Sequence, residues 1–171
     1  MFATLAHESQ KRKGTDIPYI LHPMETAVIV SQMKYDTDLI CSALLHDVAE
    51  DSHIGYDSIS TMFNKRIADL VFFQSEDKSK SWKERKQHTI NELSKVEDND
   101  IKIVCLADKL ANIRAISNDY RILGDSLWER FNVSDKKEQG WYYNGLCNCL
   151  ASLAAYPAYQ EFKRLVEEVF D

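Results

Sequence analysis

The sequence predicts an all-α fold, a single bundle of about eight helices, and three features of it predict this. Apolar residues recur at helical spacing along nearly all of the 171 residues. The strict alternation that marks strands is missing. Capping residues stand at intervals where helices would begin. Composition agrees, since 44% hydrophobic residues with only five Gly and three Pro suffice for a sizeable core.

The elements follow in order. Pro23 suits the first turn of a helix over Met24 to Met33. Asp36 or Thr37 caps one that runs through Ala43 to Asp51. Asn64 opens a helix through Phe73, and Ser81 with Glu84 forms a capping box for one to about Lys95. Asp98 or Asp100 starts a helix through Ile116. Residues 118–132 read as a loop with one short helix around Leu127. Ser134 starts a long helix ending before Pro157, and Pro157 begins a last amphipathic helix to Phe170. With no internal repeat, low-complexity tract or linker, residues 1–171 read as one domain.

Charge and cysteines narrow the function. A net charge of −6 is opposite to that of a general nucleic-acid binder, so no nucleic-acid partner is expected. No apolar run is long enough to cross a bilayer, and the N-terminus lacks the basic-then-apolar pattern of a secretory signal. A cytoplasmic protein with no membrane partner is the expectation. Cys41, Cys105, Cys147 and Cys149 read as reduced core residues: three lie in apolar helical patterns, and the C-x-C pair has no histidine nearby in sequence.

The stretch "ALLHDVAED" (residues 43–51) begins apolar, then crowds His46, Asp47, Glu50 and Asp51 into little more than a turn. Residues three and four apart share a helix face, so the three carboxylates repel one another. At a helix C-terminus they also oppose the macrodipole. Either that end is solvated or a cation sits there. His22, before Pro23, and Asp108, in "IVCLADKLANIR", suit further ligands. Capping or packing is the alternative role for His22, and pairing with Lys109 the alternative for Asp108. Asn112 follows Asp108 by one turn, and Ala111 and Ala115 leave that side of the helix open, as a ligand cavity requires. His22, His46, Asp47 and Asp108 would form an N/O donor set without thiolate. That set suits Mn²⁺, Fe²⁺ or Zn²⁺ better than it suits a structural zinc site.

These residues carry a resemblance. "AHESQKRKGTDIPYILHP", "ALLHDVAEDS", "SEDKSKSWKERK" and "LADKLANIR" resemble, in order and rough spacing across about residues 2–116, the hydrolase domains of RelA/SpoT-type (p)ppGpp enzymes, a branch of the HD-domain metal-dependent phosphohydrolases. The chain looks like a stand-alone small alarmone hydrolase. The resemblance implies an HD-type helical bundle with one divalent ion, typically Mn²⁺, on His22, His46, Asp47 and Asp108. It implies Glu50 and Asp51 as the catalytic acids that orient the attacking water and move its proton. The reaction implied is hydrolysis of the 3′-pyrophosphate of (p)ppGpp, giving GDP or GTP and pyrophosphate, with a small-molecule nucleotide as the partner.

Arg12 and Lys13 match the family's pair at the pocket mouth, where the guanidinium stacks on the base. Asn112 matches a residue that reaches the sugar or base, and Lys78, Arg85 and Lys86 match basic positions for the pyrophosphate. For Lys83, Arg85 and Lys86 a solvated helix face is the competing reading. Arg114 reads as an ion-pair partner and His7 as packing, while His53 and His88 have no assigned role. Trp141, Tyr142 and Tyr143 read as packing, with one tyrosine available to face substrate.

The chain departs from the family where the nucleotide is read. "RKGTDIPYILHP" is one residue longer than the usual "RKSGEPYIxHP" loop, Ala111 replaces a histidine or tyrosine, and Gln74-Ser75 replaces Val-Thr. Two other readings therefore stand beside the first: an HD-family nucleotidase or phosphodiesterase for another phosphorylated nucleotide, and a non-catalytic nucleotide-binding HD domain.

Overall fold

Helix α8 (Asn99–Leu123) is the axis of the molecule, and its sequence explains why. Ile103, Val104, Leu106, Ala107, Leu110, Ala111 and Ile113 are all at most 1% exposed. A helix that is apolar nearly all round must be enclosed by its neighbours. Helices α2 (Leu21–Met33), α3 (Thr37–Leu45), α6 (Lys65–Phe73) and α10 (Pro157–Phe170) pack around it. In this computed structural model, residues 1–51 and 54–171 are described, without the side chains of Glu50 and Asp51. The remaining helices are α1 (Phe2–Ala6), α4 (Val48–Asp51), α5 (Tyr56–Met62), α7 (Trp82–Lys95) and α9 (Lys136–Cys149). No strand occurs among the described residues; an isolated bridge pairs Lys11 with Pro18.

The starts of these helices are built by the expected side chains. Asp36 accepts hydrogen bonds from the backbone N–H groups of Asp38 and Leu39, and Asn64 from that of Ile67. Asp98 accepts from Asp100, and Ser81 and Glu84 form a complete capping box. Each such cap contributes about 1 kcal/mol. Asp135 rather than Ser134 caps α9, accepting from the Lys137 N–H.

Several boundaries differ from the sequence expectation. Helix α8 continues past Ile116 to Leu123, because Ile116 and Ser117 are still buried and nothing breaks the helix before Gly124, whose φ of +57° suits glycine. A 3-10 helix over Gly124–Arg130 occupies the stretch around Leu127 and buries Leu127 and Trp128. Helix α5 has no sequence forecast; Ile59 is its one buried residue among those described, too thin an apolar stripe to show periodicity. Beyond α9 the chain tightens into a second 3-10 helix, Ala151–Leu153.

Two apolar clusters hold the bundle. The larger extends from Ala27 to Val169, so α9 and α10 share a core with α2, α3 and α8. The smaller joins Ala3, Leu45, Val48, Ile59, Ile67, Ala68 and Val71. Residues at the end of α3 and the start of α4 thus touch both faces of the fold, at the place where the charged residues begin. The four cysteines are free, and burial pushes the Cys105 thiol up to about 12, which makes it an inert packing group. No helix of the described residues is long and apolar enough to cross a membrane.

Leu106 is fully buried within α8. We expect Leu106→Ala to lower stability by about 2–5 kcal/mol, measured by urea unfolding. A loss under about 1 kcal/mol would show that the helix is not enclosed as described.

Candidate active site

The chain between α3 and α4 breaks at His46 and Asp47, and the break aims both side chains. Helix α3 stops at Leu45, and the His46 backbone keeps right-handed values (φ −56°, ψ −36°). The last carbonyls of a helix lack intrahelical partners. His46 Nδ1 lies 2.8 Å from the Ala43 carbonyl oxygen and donates to it, so the neutral ring presents a lone pair at Nε2. His22, in the first turn of α2, is buried, and its Nδ1 has no hydrogen-bond partner among the described residues, leaving Nε2 as its working nitrogen. Asp108 enters from the middle of α8 and is also buried.

These three segments bring four ligand-type atoms together. The two Nε2 atoms are 3.2 Å apart. Asp108 Oδ1 lies 3.1 Å from His22 Nε2 and 3.5 Å from His46 Nε2. Asp47 Oδ2 lies 3.0 Å from His46 Nε2 and 3.5 Å from His22 Nε2. Two imidazole nitrogens face each other with carboxylate oxygens beside them. Atoms about 2.0–2.2 Å from one divalent ion stand about 3–3.5 Å from each other. The donor set therefore fits a divalent metal, and His22, His46 and Asp108 form a buried cluster of the right dimensions. Asp47 is the more open member, one-fifth exposed, and its Oδ2 also accepts a 2.7 Å hydrogen bond from the Tyr19 hydroxyl.

Burial and neighbouring charge act against one another in this cluster. Burial lowers the pKa of His22. Burial would lower His46 as well, but Asp47 and Asp108 overcome it and hold its imidazolium well above the ordinary range. Burial would raise both carboxyls; His46 instead holds Asp47 far down, and Lys109, followed by the two imidazoles, does so for Asp108. Lys109 Nζ lies 2.6 Å from Asp108 Oδ2, so the pairing with Lys109 and the approach to the histidines both occur, one on each oxygen.

From this cluster a cavity of about 950 Å³ opens along the Asn112 side of α8. His22, Lys109, Asn112, Arg12, Lys86 and Tyr142 are among its walls. Asn112 donates to Asp108 Oδ1 at 2.7 Å and accepts from Arg12 Nη2 at 2.9 Å, which links the rim to the ligand cluster. The Arg12 guanidinium carbon stands 5.7 Å from the centre of the Tyr19 ring. The loop from Lys11 to Pro18 closes by a 2.8 Å bond from the Arg12 N–H to the Ile17 carbonyl. At its tip Lys13 Nζ donates to Asn132 Oδ1 at 2.6 Å. Gly14 beside it has φ +72°, and a Cβ there would stand 2.5 Å from Arg130 Cδ. Arg130 in turn donates to Asp119 at 2.9 Å.

The basic positions of the α7 region divide. Lys86 lines the larger cavity, whereas Arg85 lines a second one of about 530 Å³. Both pair with Glu76, at 2.7 and 3.0 Å. Lys78 is exposed in the connector before α7. Glu50 and Asp51 continue α4 one turn beyond His46 and Asp47, but their side chains, like His53, lie outside the described residues. His7 packs on Tyr19 with ring centres 5.0 Å apart, and Arg114 pairs with Glu25 and Glu161. His88 lines the second cavity, Tyr142 and Tyr143 the first, and Trp141 sits under the Lys83 ammonium. The sequence reading missed Tyr19, Glu76 and Arg130. Tyr19 stands three residues before His22, a spacing that could have flagged it; the ion-pair partners of Glu76 and Arg130 stand nine or more residues away in sequence.

Comparison with known proteins places this geometry. A family described as HD domain matches residues 1–122. The chain is 33% identical over 118 residues to the bifunctional (p)ppGpp synthase/hydrolase SpoT of Escherichia coli, covering 66% of this chain and 17% of that one. It therefore spans about a sixth of that relative's length. It is 34% identical over 116 residues to the guanosine-3′,5′-bis(diphosphate) 3′-pyrophosphohydrolase MESH1 of Drosophila melanogaster, covering 66% and 64% of the two chains. Its fold is similar to the crystal structure of lmo0812 from Listeria monocytogenes, with a TM-score of 0.80 and 31% identity over 87% of this chain and 98% of that one.

Replacing Asp108 by Asn keeps its shape and removes its charge. We expect Mn²⁺ to bind the Asp108→Asn variant more than about tenfold more weakly than it binds the unaltered protein, by isothermal titration calorimetry, with an unchanged circular dichroism spectrum. Equal affinity would remove Asp108 from the ligand set.

Proposed function

The chain belongs to the HD domain family, and on that premise we propose that it is a Mn²⁺-dependent hydrolase of the 3′-pyrophosphate of (p)ppGpp. The observation that carries this reading is the convergence of His22, His46, Asp47 and Asp108 at one end of a nucleotide-sized cavity. The names of the Escherichia coli and Drosophila relatives support the substrate. Residues 1–171 act as one phosphohydrolase domain in this reading, since α10 shares the core of α8 although the family match ends at residue 122. Four free cysteines support a cytoplasmic setting.

His22, His46, Asp47 and Asp108 hold the ion. When bound it supplies Lewis-acid charge to a phosphoryl oxygen and makes water easier to deprotonate. Glu50 and Asp51 orient the attacking water and accept its proton. The water oxygen bonds to the phosphorus carried by the ribose 3′ oxygen, that phosphorus–O3′ bond breaks, and the 3′ oxygen takes up the proton the acids received, giving pyrophosphate and GDP or GTP. Tyr19 holds Asp47 Oδ2 in place. Arg12, tied to Asn112, offers a planar guanidinium on which the base stacks, and Asn112 meets the sugar. Lys86 and Lys109 give the cavity positive charge beside the ligand cluster, which an anionic substrate needs in a chain of net charge −6. Lys13 at the rim and Lys78 and Arg85 in the α7 region add to that field.

The departures at the base end make a second substrate class the alternative, and there Arg130, packed against Gly14, lines the cavity wall. Purified protein with Mn²⁺ should release pyrophosphate from ppGpp, and not from GTP, ATP or cyclic dinucleotides in the same panel. Turnover of another nucleotide with ppGpp inert would replace the substrate and keep the chemistry. Binding of nucleotide with no turnover would favour a non-catalytic domain. The doubly altered Glu50→Gln/Asp51→Asn protein should lose roughly 10²–10⁴-fold in kcat while binding Mn²⁺ as before. Full activity in that variant would end the role given to the two acids.

A further inference from the structure

Glu76 lies in the connector between α6 and α7 and is only 12% exposed. A buried carboxylate costs several kcal/mol unless paired, and the two oxygens of Glu76 meet different cations. Oε1 is 2.7 Å from Lys86 Nζ and accepts more weakly from Thr89, while Oε2 accepts from Arg85 at 3.0 Å. Glu76 and Arg85 line the smaller cavity, Lys86 lines the larger one, and Lys109 borders both. The Glu76–Lys86 pair is therefore part of the partition between the cavities, with the carboxylate on one side and the ammonium on the other. An ammonium has three donors. One meets Glu76, and Lys86 lines the same cavity as Lys109, which stands beside Asp108.

We propose that Glu76 is a positioning residue: it anchors Lys86 from behind, so that a charged ammonium faces the end of the larger cavity next to the ligand cluster, where the phosphate of a substrate would lie. The phosphate's identity rests on the hydrolase reading; the anchoring does not. Lys86 is faced by Glu76 from the connector, Arg85 from its own helix, Lys109 and Cys105 from α8, and the Tyr142 ring from α9 at 4.9 Å. Burial and Lys109 lower the pKa of Lys86, and Glu76 opposes them. Removing the charge of Glu76 lets the ammonium lose its proton at lower pH. Affinity for an anion is then present below that pH and fades above it.

The test uses Glu76→Gln in the Mn²⁺-loaded protein. Lysine ¹³Cε NMR, with the Lys86 signal assigned through Lys86→Arg, should show Lys86 titrating about one pH unit lower than in the unaltered protein. Calorimetry with inorganic phosphate as titrant should show roughly tenfold weaker binding at a pH above the Lys86 titration of both proteins. With ppGpp, KM should rise about tenfold at nearly constant kcat, and the alkaline limb of kcat/KM should move to lower pH. Lys86→Arg in the same background should abolish that movement, because the guanidinium stays charged. If Glu76→Gln does not fold, Glu76→Asp keeps the charge with a shorter reach and should raise KM without moving the limb. An unchanged Lys86 titration and phosphate affinity in Glu76→Gln, or an unchanged KM in Glu76→Asp, overturns the proposal. If the protein leaves ppGpp intact but Glu76→Gln still lowers both the titration and phosphate binding, the positioning role stands and the substrate reading alone falls.

Discussion

The structure depends on a carboxylate buried at the midpoint of its central helix. Asp108 sits in a run of α8 whose neighbours are almost all apolar and fully enclosed. A lone charge there would be ruinous, so each of its oxygens must be matched. Lys109 matches one, and Asn112 with His22 the other. Meeting that requirement decides where other parts of the chain go. The start of α2 must deliver His22 to the centre, and the end of α3 must deliver His46 beside it. A helix break at the second of these points is what allows both His46 and Asp47 to turn inward. The same side chains that stabilise the buried charge form the chemical centre, so fold and reactivity share one set of contacts.

Function is then arranged outward along one helix face. One turn beyond Asp108, Asn112 links the centre to Arg12 at the rim. Ala111 and Ala115 have side chains too small to fill the space beside it, and the cavity occupies what they leave. Tyr142 and Tyr143, from a helix that follows much later in the chain, close the opposite wall. The C-terminal helices thus belong to the cavity as much as to the core. Tyr142 and Tyr143, read as packing, are buried and line the cavity as well.

What could be read in advance was whatever depends on local spacing. The helical class, the caps at Asp36, Asn64, Ser81 and Asp98, and Pro157 in a first turn are all written in neighbouring residues. The grouping of His22, His46, Asp47 and Asp108 came from polar residues embedded in apolar patterns, where their type is costly without a partner. Features set by distant partners left no trace. Arg85 and Lys86 look like any basic helix face, and only the fold brings Glu76 between them. The extension of α8 to Leu123 depends on burial of Ile116 and Ser117 by other helices. Among the described residues helix α5 buries Ile59 alone, a stripe that no periodicity reveals.

The contact between Gly14 and Arg130 ties two remote stretches of chain to each other. Because the arginine stem fills the space a side chain at 14 would need, the two positions share one volume. Among descendants of a common ancestor they should therefore change together: where 14 acquires a serine or alanine, 130 should shrink or swing away, releasing Asp119 from its present partner. Such paired substitution would let the mouth of the cavity be refitted to a different base over evolutionary time while the ligand cluster beneath stays untouched.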